Sequence, residues 1–206
     1  CKANKRQGIY IDMRVVAGSA KSLKLKTIEG METRPTQDRI KETLFNIIQQ
    51  DLYEARFLDL FSGSGGIAIE ALSRGAAEAV LVDNDREALR CIRTNLHHTH
   101  FEEQARVMAM DVIQALRRLD QQKKAFDVIF MDPPYSMGLE RRIIPYLIES
   151  SLVHDDTRII VEASMEDDPI VLPPTCGWYV ERVKEYKNNC HIFICRDKTA
   201  VAGEDE

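Results

Sequence analysis

From residue 56 onward the chain alternates between short apolar runs and longer segments with helical spacing, and that alternation leaves few folds open. The apolar runs are Phe57 to Phe61, Ala79 to Asp83, Ala105 to Ala109, Phe126 to Met131 and Arg158 to Ala163. Between them lie helical patterns at Gly66 to Arg74, Asp85 to Leu96, Val112 to Leu119 and Leu139 to Ile148. Strands joined by single helices must run parallel, and a parallel sheet needs cover on both faces, so an α/β fold is expected. After Asp168-Pro169 the pattern becomes β-prone again, at Trp178 to Tyr186 and Cys190 to Cys195 around an Asn188-Asn189 turn. That reads as a terminal hairpin on the edge of the sheet.

In open sheets of this kind ligands bind at the carboxyl ends of the strands, so those ends are where chemistry is expected. The first strand runs into FLDLFSGSGGIAIEA, residues 57–71, a Gly-rich turn before a helix start. Gly63 and Gly65 allow close approach of backbone to a ligand, and the helix behind them offers free N–H groups. Phe61 and Ser64 line the same turn. Asp83 ends the second strand twenty residues after Gly63, the separation at which an acid reaches ribose hydroxyls, with Asn84 beside it. Asp111, just after the third strand, is placed to accept from an adenine amine. Gly63, Gly65 and Ala68 also satisfy the dinucleotide pattern G-x-G-x-x-A. Asp59 favours S-adenosylmethionine instead, because a carboxylate there repels a pyrophosphate and suits an amino group. A purely structural glycine turn is the third reading.

The fourth strand ends in FDVIFMDPPY, residues 126–135. Two prolines remove two N–H donors and stiffen the turn, leaving carbonyl oxygens and the Asp132 carboxylate as acceptors. Alone, such a tetrapeptide reads as a strand-ending turn. On the same sheet edge as a methyl-donor turn it reads as a transfer site for a planar amine. An exocyclic amine on a base is a poor nucleophile, since its lone pair is delocalised into the ring. Asp132 and the Pro133 carbonyl would accept its two N–H protons and offset positive charge as the methyl arrives. Pro134 and Tyr135 would flank the base, Tyr135 by stacking.

Ahead of this lies a basic segment. Residues 1–41 hold ten Lys or Arg against four acids, although the whole chain has a formal net charge of −5. A basic arm on an acidic body is an electrostatic footprint for a polyanion, with a solvated tail as the bland reading. MRVVAGSAKSLKLKTI offers two β-prone pieces, Arg14 to Ala17 and Leu23 to Ile28, which predict a small hairpin carrying Arg14, Lys21 and Lys24. In TRPTQDRIKETLFNIIQQDL, Thr36 after Pro35 is the expected helix cap, and Ile40, Leu44, Ile47 and Ile48 form one apolar stripe. Residues 1–12 are expected to be an extension or an expression remnant without order, residues 13–55 the hairpin and helix, 56–196 the main domain and 197–206 a tail.

Other signals exclude more than they propose. No apolar run approaches the length of a membrane span, and no secretory pattern opens the chain, so an intracellular, cytoplasmic protein is expected. Five cysteines include no C-x-x-C pair and read as reduced structural thiols. His97, His98 and His100 read as a polar loop rather than a metal site, and His191 as a packed strand residue. No metal is expected.

The motifs FLDLFSGSGG, LVDND and DPPY, with RPTQDRIKETLFN ahead of them and MRVVAGSAKSLKL at the start, resemble those of the RsmD-type enzymes. These are bacterial methyltransferases that act on a guanine N2 amine of small-subunit (16S) ribosomal RNA. The likeness runs from about Met13 to Arg196. DPPY alone is shared with DNA adenine-N6 methyltransferases, whereas RPTQDRIKETLFN is far more specific. The resemblance implies a Rossmann-like class I S-adenosylmethionine-dependent methyltransferase fold, whose mostly parallel seven-stranded sheet has an antiparallel last strand. It implies that Asp59, Gly63 and Gly65 line the cofactor site, with Asp83 at the ribose and Asp111 near the adenine. Asp132, Pro133 and Tyr135 then meet the target amine, while Arg34 and Thr36 close the pocket or guide the RNA. The implied partner is ribosomal RNA, alone or in an assembling small-subunit particle, and the enzyme is expected to be a monomer. The competing readings are a DNA adenine-N6 methyltransferase, a protein amide methyltransferase and a non-catalytic RNA-binding module.

Overall fold

The alternating pattern becomes a single seven-stranded sheet in a computed structural model that describes residues 10–28, 35–134 and 138–198. A hairpin comes first, β1 (Tyr10–Arg14) and β2 (Lys24–Thr27), followed by α1 (Pro35–Ile47) and a single 3-10 turn (Gln49–Asp51). The main domain then runs β3 (Arg56–Asp59), α2 (Gly66–Ser73), β4 (Glu78–Asp83), α3 (Arg86–Thr99), β5 (Ala105–Ala109) and α4 (Val112–Asp120). It continues through β6 (Val128–Met131), α5 (Glu140–Glu149), β7 (Arg158–Ser164), β8 (Trp178–Glu185) and β9 (Asn189–Arg196).

The sheet order is β5-β4-β3-β6-β7-β9-β8. The chain therefore steps outward from β3 in one direction, then crosses back to β6 and steps outward in the other. That reversal opens a crevice at the carboxyl ends of β3 and β6, where neighbouring helices depart on opposite faces. The five strands β3 to β7 pair in parallel, while β9 is antiparallel to both β7 and β8. The expected fold class, including the reversed last strand, is the observed one.

Strand alternation divides the core into two layers. Phe57, Leu81, Phe130, Ile160 and Phe193 face the hairpin, α1, α2 and α3. Leu58, Val80, Val82, Ile129 and Val161 face α4 and α5. Because both faces are covered, β3 and β6 are almost wholly buried, which explains their unbroken apolar runs.

Element ends moved for local reasons. The β6 strand starts at Val128 rather than Phe126, because the Phe126 N–H donates to the Leu152 carbonyl (2.8 Å) and its carbonyl accepts from Thr157 Oγ1 (2.6 Å). Helix α1 begins at Pro35, a position proline favours, so Thr36 lies inside the first turn instead of capping it. The hairpin's first strand lies earlier than expected. Tyr10 pairs with Thr27 and Ile11 with Lys26, so Tyr10–Asp12 belong to a strand and not to an unordered extension. Val16 and Ala17, expected in that strand, turn their N–H groups to the Glu70 carboxylate at 2.8 and 2.9 Å. Asp197 and Lys198, expected in the tail, are held: the Asp197 N–H donates to the Gly177 carbonyl at 2.8 Å and Lys198 pairs with Asp156, while the remaining expectations concern residues 1–9 and 199–206, outside the described residues.

Glu70 fixes the hairpin to the main domain. It sits fully buried on α2, in ion pairs with Arg74 (2.9 Å) and Lys41 (3.3 Å), and the Lys41 ammonium also donates to the Arg14 carbonyl at 2.6 Å. Burial lowers the Lys41 pKa although Glu70 acts to raise it. Ser73 adds to the junction: its hydroxyl donates to the Ala17 carbonyl (2.6 Å) and accepts from the Ala20 N–H (2.9 Å). Replacing Glu70 with Ala strands two buried cations and two N–H groups, and breaking a buried pair from one side costs about 3–5 kcal/mol. We expect Glu70→Ala to lose stability of that order in denaturant melts; a loss under about 1 kcal/mol would contradict this account of the junction.

Candidate active site

Four strand ends lie side by side along the carboxyl edge in the order β5, β4, β3, β6. They carry Asp111, Asp83 with Asn84, Asp59 with the glycine turn, and Asp132 with Pro133 and Pro134. Sequence positions spread over more than seventy residues thus converge on one crevice.

The glycine turn is held from two sides. Gly63 and Gly65 adopt φ values of 52° and 79°, in the left-handed region that side chains disfavour. The Gly63 N–H donates to Asp83 Oδ2 at 2.8 Å, and Asp83 Oδ1 accepts from the Asp85 N–H at 2.9 Å. Asp83 therefore joins the β3 turn to the β4 end, and its remaining lone pairs are available to a ligand hydroxyl. From behind, the Asn95 side-chain amide donates to the Ser64 carbonyl (2.9 Å) and pairs with both backbone groups of Lys26 (2.8 and 2.9 Å). Met13 packs against Gly66, where an added Cβ would fall 2.5 Å from the Met13 sulfur. The hairpin thus lies directly on the turn.

Asp59 is the strongest electrostatic signal. It is 1% exposed, and neither carboxylate oxygen has a hydrogen-bond partner. The nearby Ser62 hydroxyl donates to the Asp59 backbone carbonyl instead, at 3.0 Å. Burial, then the charge of Asp83, push the Asp59 pKa up to about 7, while the amides of Ala68 and Phe61 and the Ser62 hydroxyl, near the carboxylate but outside hydrogen-bonding geometry, pull the other way. A buried acceptor without a donor is costly, and a ligand cation or amine would satisfy it. The donor-poor, acceptor-rich set fits the ammonium of S-adenosylmethionine and opposes a pyrophosphate.

Asp132 follows β6 directly and is likewise surrounded by carboxylates. Crowding by protein atoms, then the carboxylates of Glu162 and Asp59, push its pKa up to about 8. Solvent still reaches Asp132, so its desolvation is less complete than that of Asp59, and the two neighbouring carboxylates sustain the upward direction. Next to it lies a cleft of about 410 Å³, lined by Pro133, Pro134, Glu162, Ala163 and Arg141 among others.

The sequence-selected residues divide clearly. Phe61, Gly63, Ser64 and Gly65 form the turn, and Asn84 is exposed beside Asp83. Asp111 caps α4, accepting from the Ile113 N–H at 2.9 Å. Arg14 ends β1 with its side chain mostly exposed and bonded to Asp38 at 3.1 Å, while Lys21 and Lys24 are exposed on the hairpin. Thr36 lies in the first turn of α1; Arg34 and Tyr135 fall outside the described residues. His97 contacts Glu102, and His191 is packed, 1% exposed. Reading the sequence missed Glu70, Asn95 and Glu162. Glu70 in IAIEAL and Glu162 in IIVEA had a signal, a charged residue inside an apolar stretch, whereas Asn95 in RTNLHH had none.

A protein-family model described as "Conserved hypothetical protein 95" matches residues 13–194. Ribosomal RNA small subunit methyltransferase D of Escherichia coli K12 is 34% identical over 172 residues, covering 84% of each chain. Its namesake from Haemophilus influenzae is 33% identical over 163 residues, 79% of this chain and 83% of that one. A solved structure of a hypothetical protein from Thermus thermophilus superposes with a TM-score of 0.73 at 31% identity, covering 88% of this chain and 98% of that one. The fold is also that of an RNA methyltransferase from Salinibacter ruber solved with S-adenosyl-L-homocysteine, at a TM-score of 0.58 and 18% identity over 78% and 92% of the chains.

The Asp59 shift has a thermodynamic sign. A carboxyl whose pKa is raised on folding contributes stability below its unfolded pKa near 4, and that contribution is lost as pH rises through about 7. Asp59→Asn removes the loss. Without ligand, the variant is expected to melt higher than wild type at about pH 8 and about equally at about pH 4, by scanning calorimetry. An Asp59→Asn protein that melts lower than wild type on the alkaline side would contradict the unpartnered carboxylate.

Proposed function

The chain belongs to the family of conserved hypothetical protein 95, the RsmD-type family, and from that membership we propose that it methylates a guanine N2 amine of small-subunit ribosomal RNA, using S-adenosylmethionine. The observation that carries the reading is the orphaned Asp59 carboxylate on the same sheet edge as the Asp132-Pro133 acceptor turn. The names of the curated relatives support ribosomal RNA of the small subunit as the substrate class.

When bound, the cofactor supplies a methyl group on a positively charged sulfur. The chain's own residues do the rest. Asp59 receives the ammonium of the methionine portion, Asp83 the ribose hydroxyls, and Asp111, through the oxygen not engaged in capping, the adenine amine. Phe61, Ser64, Gly65 and Asn84 shape that pocket, and Thr36 with Arg34 closes it. Asp132 and the Pro133 carbonyl each accept one N–H of the target amine, which orients the nitrogen lone pair and offsets charge as it develops. Pro134 and Tyr135 flank the base. A base that begins stacked must be turned out, at a cost of a few kcal/mol, and stacking on Tyr135 recovers about 1–3 kcal/mol.

Arg14, Lys21 and Lys24 give the RNA backbone its contact on a chain that is acidic overall. Since Asn95, Met13 and Glu70 bind the hairpin to the cofactor turn, phosphate contact and methyl donor are held in one rigid frame. Among the described residues no helix is long and apolar enough to cross a membrane.

Purified protein with methyl-labelled cofactor is expected to label small-subunit RNA or its partly assembled particle. Asp132→Ala is expected to lower transfer at least about 100-fold while cofactor binding by calorimetry persists. Label confined to DNA adenine would favour the DNA methyltransferase reading, and RNA affinity without any cofactor binding the non-catalytic one. Lys21→Ala and Lys24→Ala should each weaken RNA binding whatever its sequence and reduce the salt slope by about 1; an unchanged slope would remove the hairpin from the interface.

A further inference from the structure

Glu162 stands beside the transfer turn and has no part in the chemistry described so far. Its position follows from the sheet: Met131 pairs with Val161 across β6 and β7, so the next residues, Asp132 and Glu162, are neighbours on adjacent strands. Across the other flank of β7, Glu162 pairs in register with His191 of β9. Glu162 Oε2 lies 3.2 Å from His191 Nε2, and Oε1 accepts from the Asn189 side-chain amide. His191 Nδ1 in turn lies 3.2 Å from the Tyr186 hydroxyl.

The proton positions in this chain follow from its chemistry. A bare ring nitrogen facing a carboxylate would set lone pair against lone pair, so His191 Nε2 carries a proton and donates it to Glu162. Burial, then Glu162, push the Tyr186 pKa up to about 12, so its hydroxyl keeps its proton for Nδ1. Phe130 and Phe193 pack edge-on against the His191 ring and set its plane. Glu162 is therefore fixed as an acceptor with limited solvent access, 18% for its side chain, at the wall of the cleft that Pro133 and Pro134 also line.

We infer that Glu162, held by Asn189 and His191, is a positioning residue that makes Asp132 the proton acceptor of the methyl transfer. The inference rests on the methyltransferase reading above. As the nitrogen bonds the methyl carbon, the carbon–sulfur pair leaves with sulfur, and the nitrogen becomes a cation that must lose a proton. The N–H bond breaks, its electron pair returns to nitrogen, and an O–H bond forms on Asp132. Two adjacent carboxylates repel each other, and one proton between them relieves that repulsion, so Glu162 increases the affinity of Asp132 for the arriving proton. Asp132 is open to solvent and can then release it. The raised Asp132 pKa, with burial first and Glu162 next among its causes, has the sign this role requires.

The other charged groups around the pair leave Glu162 in that role. Asp59 on β3 adds to the field at Asp132, but in the proposed complex the cofactor ammonium would neutralise it. Across the cleft Arg141 is bonded to Asp168 and paired with Glu140. Glu166 and Asp167 complete the acidic wall, and Asp167 accepts from the Ser164 N–H at 2.9 Å.

The test is the pH dependence of transfer, together with a direct titration of Asp132 by carboxyl-carbon NMR on the protein alone. In Glu162→Gln the acid limb of kcat should move down by about one pH unit or more, and the Asp132 midpoint with it, while KM for the cofactor stays within about twofold. Wild-type Asp132 should titrate well above the ordinary carboxyl value of about 4. Coincident acid limbs and midpoints in the two proteins would overturn the inference, as would a wild-type Asp132 midpoint at the ordinary value. A wild-type protein that transfers no methyl group to small-subunit RNA would overturn the function reading instead; the NMR titration still decides the role of Glu162. Should Glu162→Gln fold poorly, Asn189→Ala frees one oxygen of Glu162 and should lower kcat without changing cofactor affinity; an unchanged kcat would count against the inference.

Discussion

A carboxylate buried without a donor is one of the more costly arrangements a fold can hold, and Asp59 is such a group at the centre of the sheet. Raising a carboxyl pKa from 3.8 to about 7 corresponds to about 4 kcal/mol of differential interaction. The strand ends around it compound the cost: Asp83 on one side and Asp132 on the other are both acidic, and neither donates to it. A cationic ligand would offset that cost by its attraction to all three carboxylates. The architecture of the crevice, with the chain reversing its direction of travel between β3 and β6, is what brings those acids to one edge.

The rest of the molecule keeps that edge in place. Glu70 and Ser73 on α2 and Asn95 on α3 grip the backbone of the N-terminal hairpin, and Asn95 grips the glycine turn with the same amide. The hairpin is thus an integral wall of the crevice, tied by polar bonds that are buried or partly buried. On the opposite flank the antiparallel β9 carries Asn189 and His191 to Glu162. An antiparallel strand presents the start of its chain at the carboxyl edge of its parallel neighbours, which is how residues near the C-terminus reach a site built by parallel strands.

Much of this was legible in the sequence because its signals were local. The βα alternation, the glycine turn after Phe61, Asp83 at a strand end and the stop at Asp132-Pro133-Pro134 are each contained within a few residues, and each lies where the pattern placed it. What was not legible depends on contacts between distant segments. Glu70 interrupts an apolar helix for the sake of Val16 and Ala17, more than fifty residues earlier. Asn95 lies 69 residues from Lys26, and Glu162 gains its partners only once β9 lies antiparallel to β7. Strand and helix ends shifted for a similar reason: tertiary hydrogen bonds, such as those of Phe126 with Leu152 and Thr157, outweigh local propensity.

The proposed activity has a single direct product, a methyl group on a guanine N2 amine of small-subunit ribosomal RNA. Mass mapping of that RNA from a strain lacking this protein, beside the same strain with the protein restored, reads it directly. One N2-methylguanine is predicted to be absent without the protein and present with it. A full complement of N2-methylguanine in its absence, or a loss confined to methyladenine, would contradict the account.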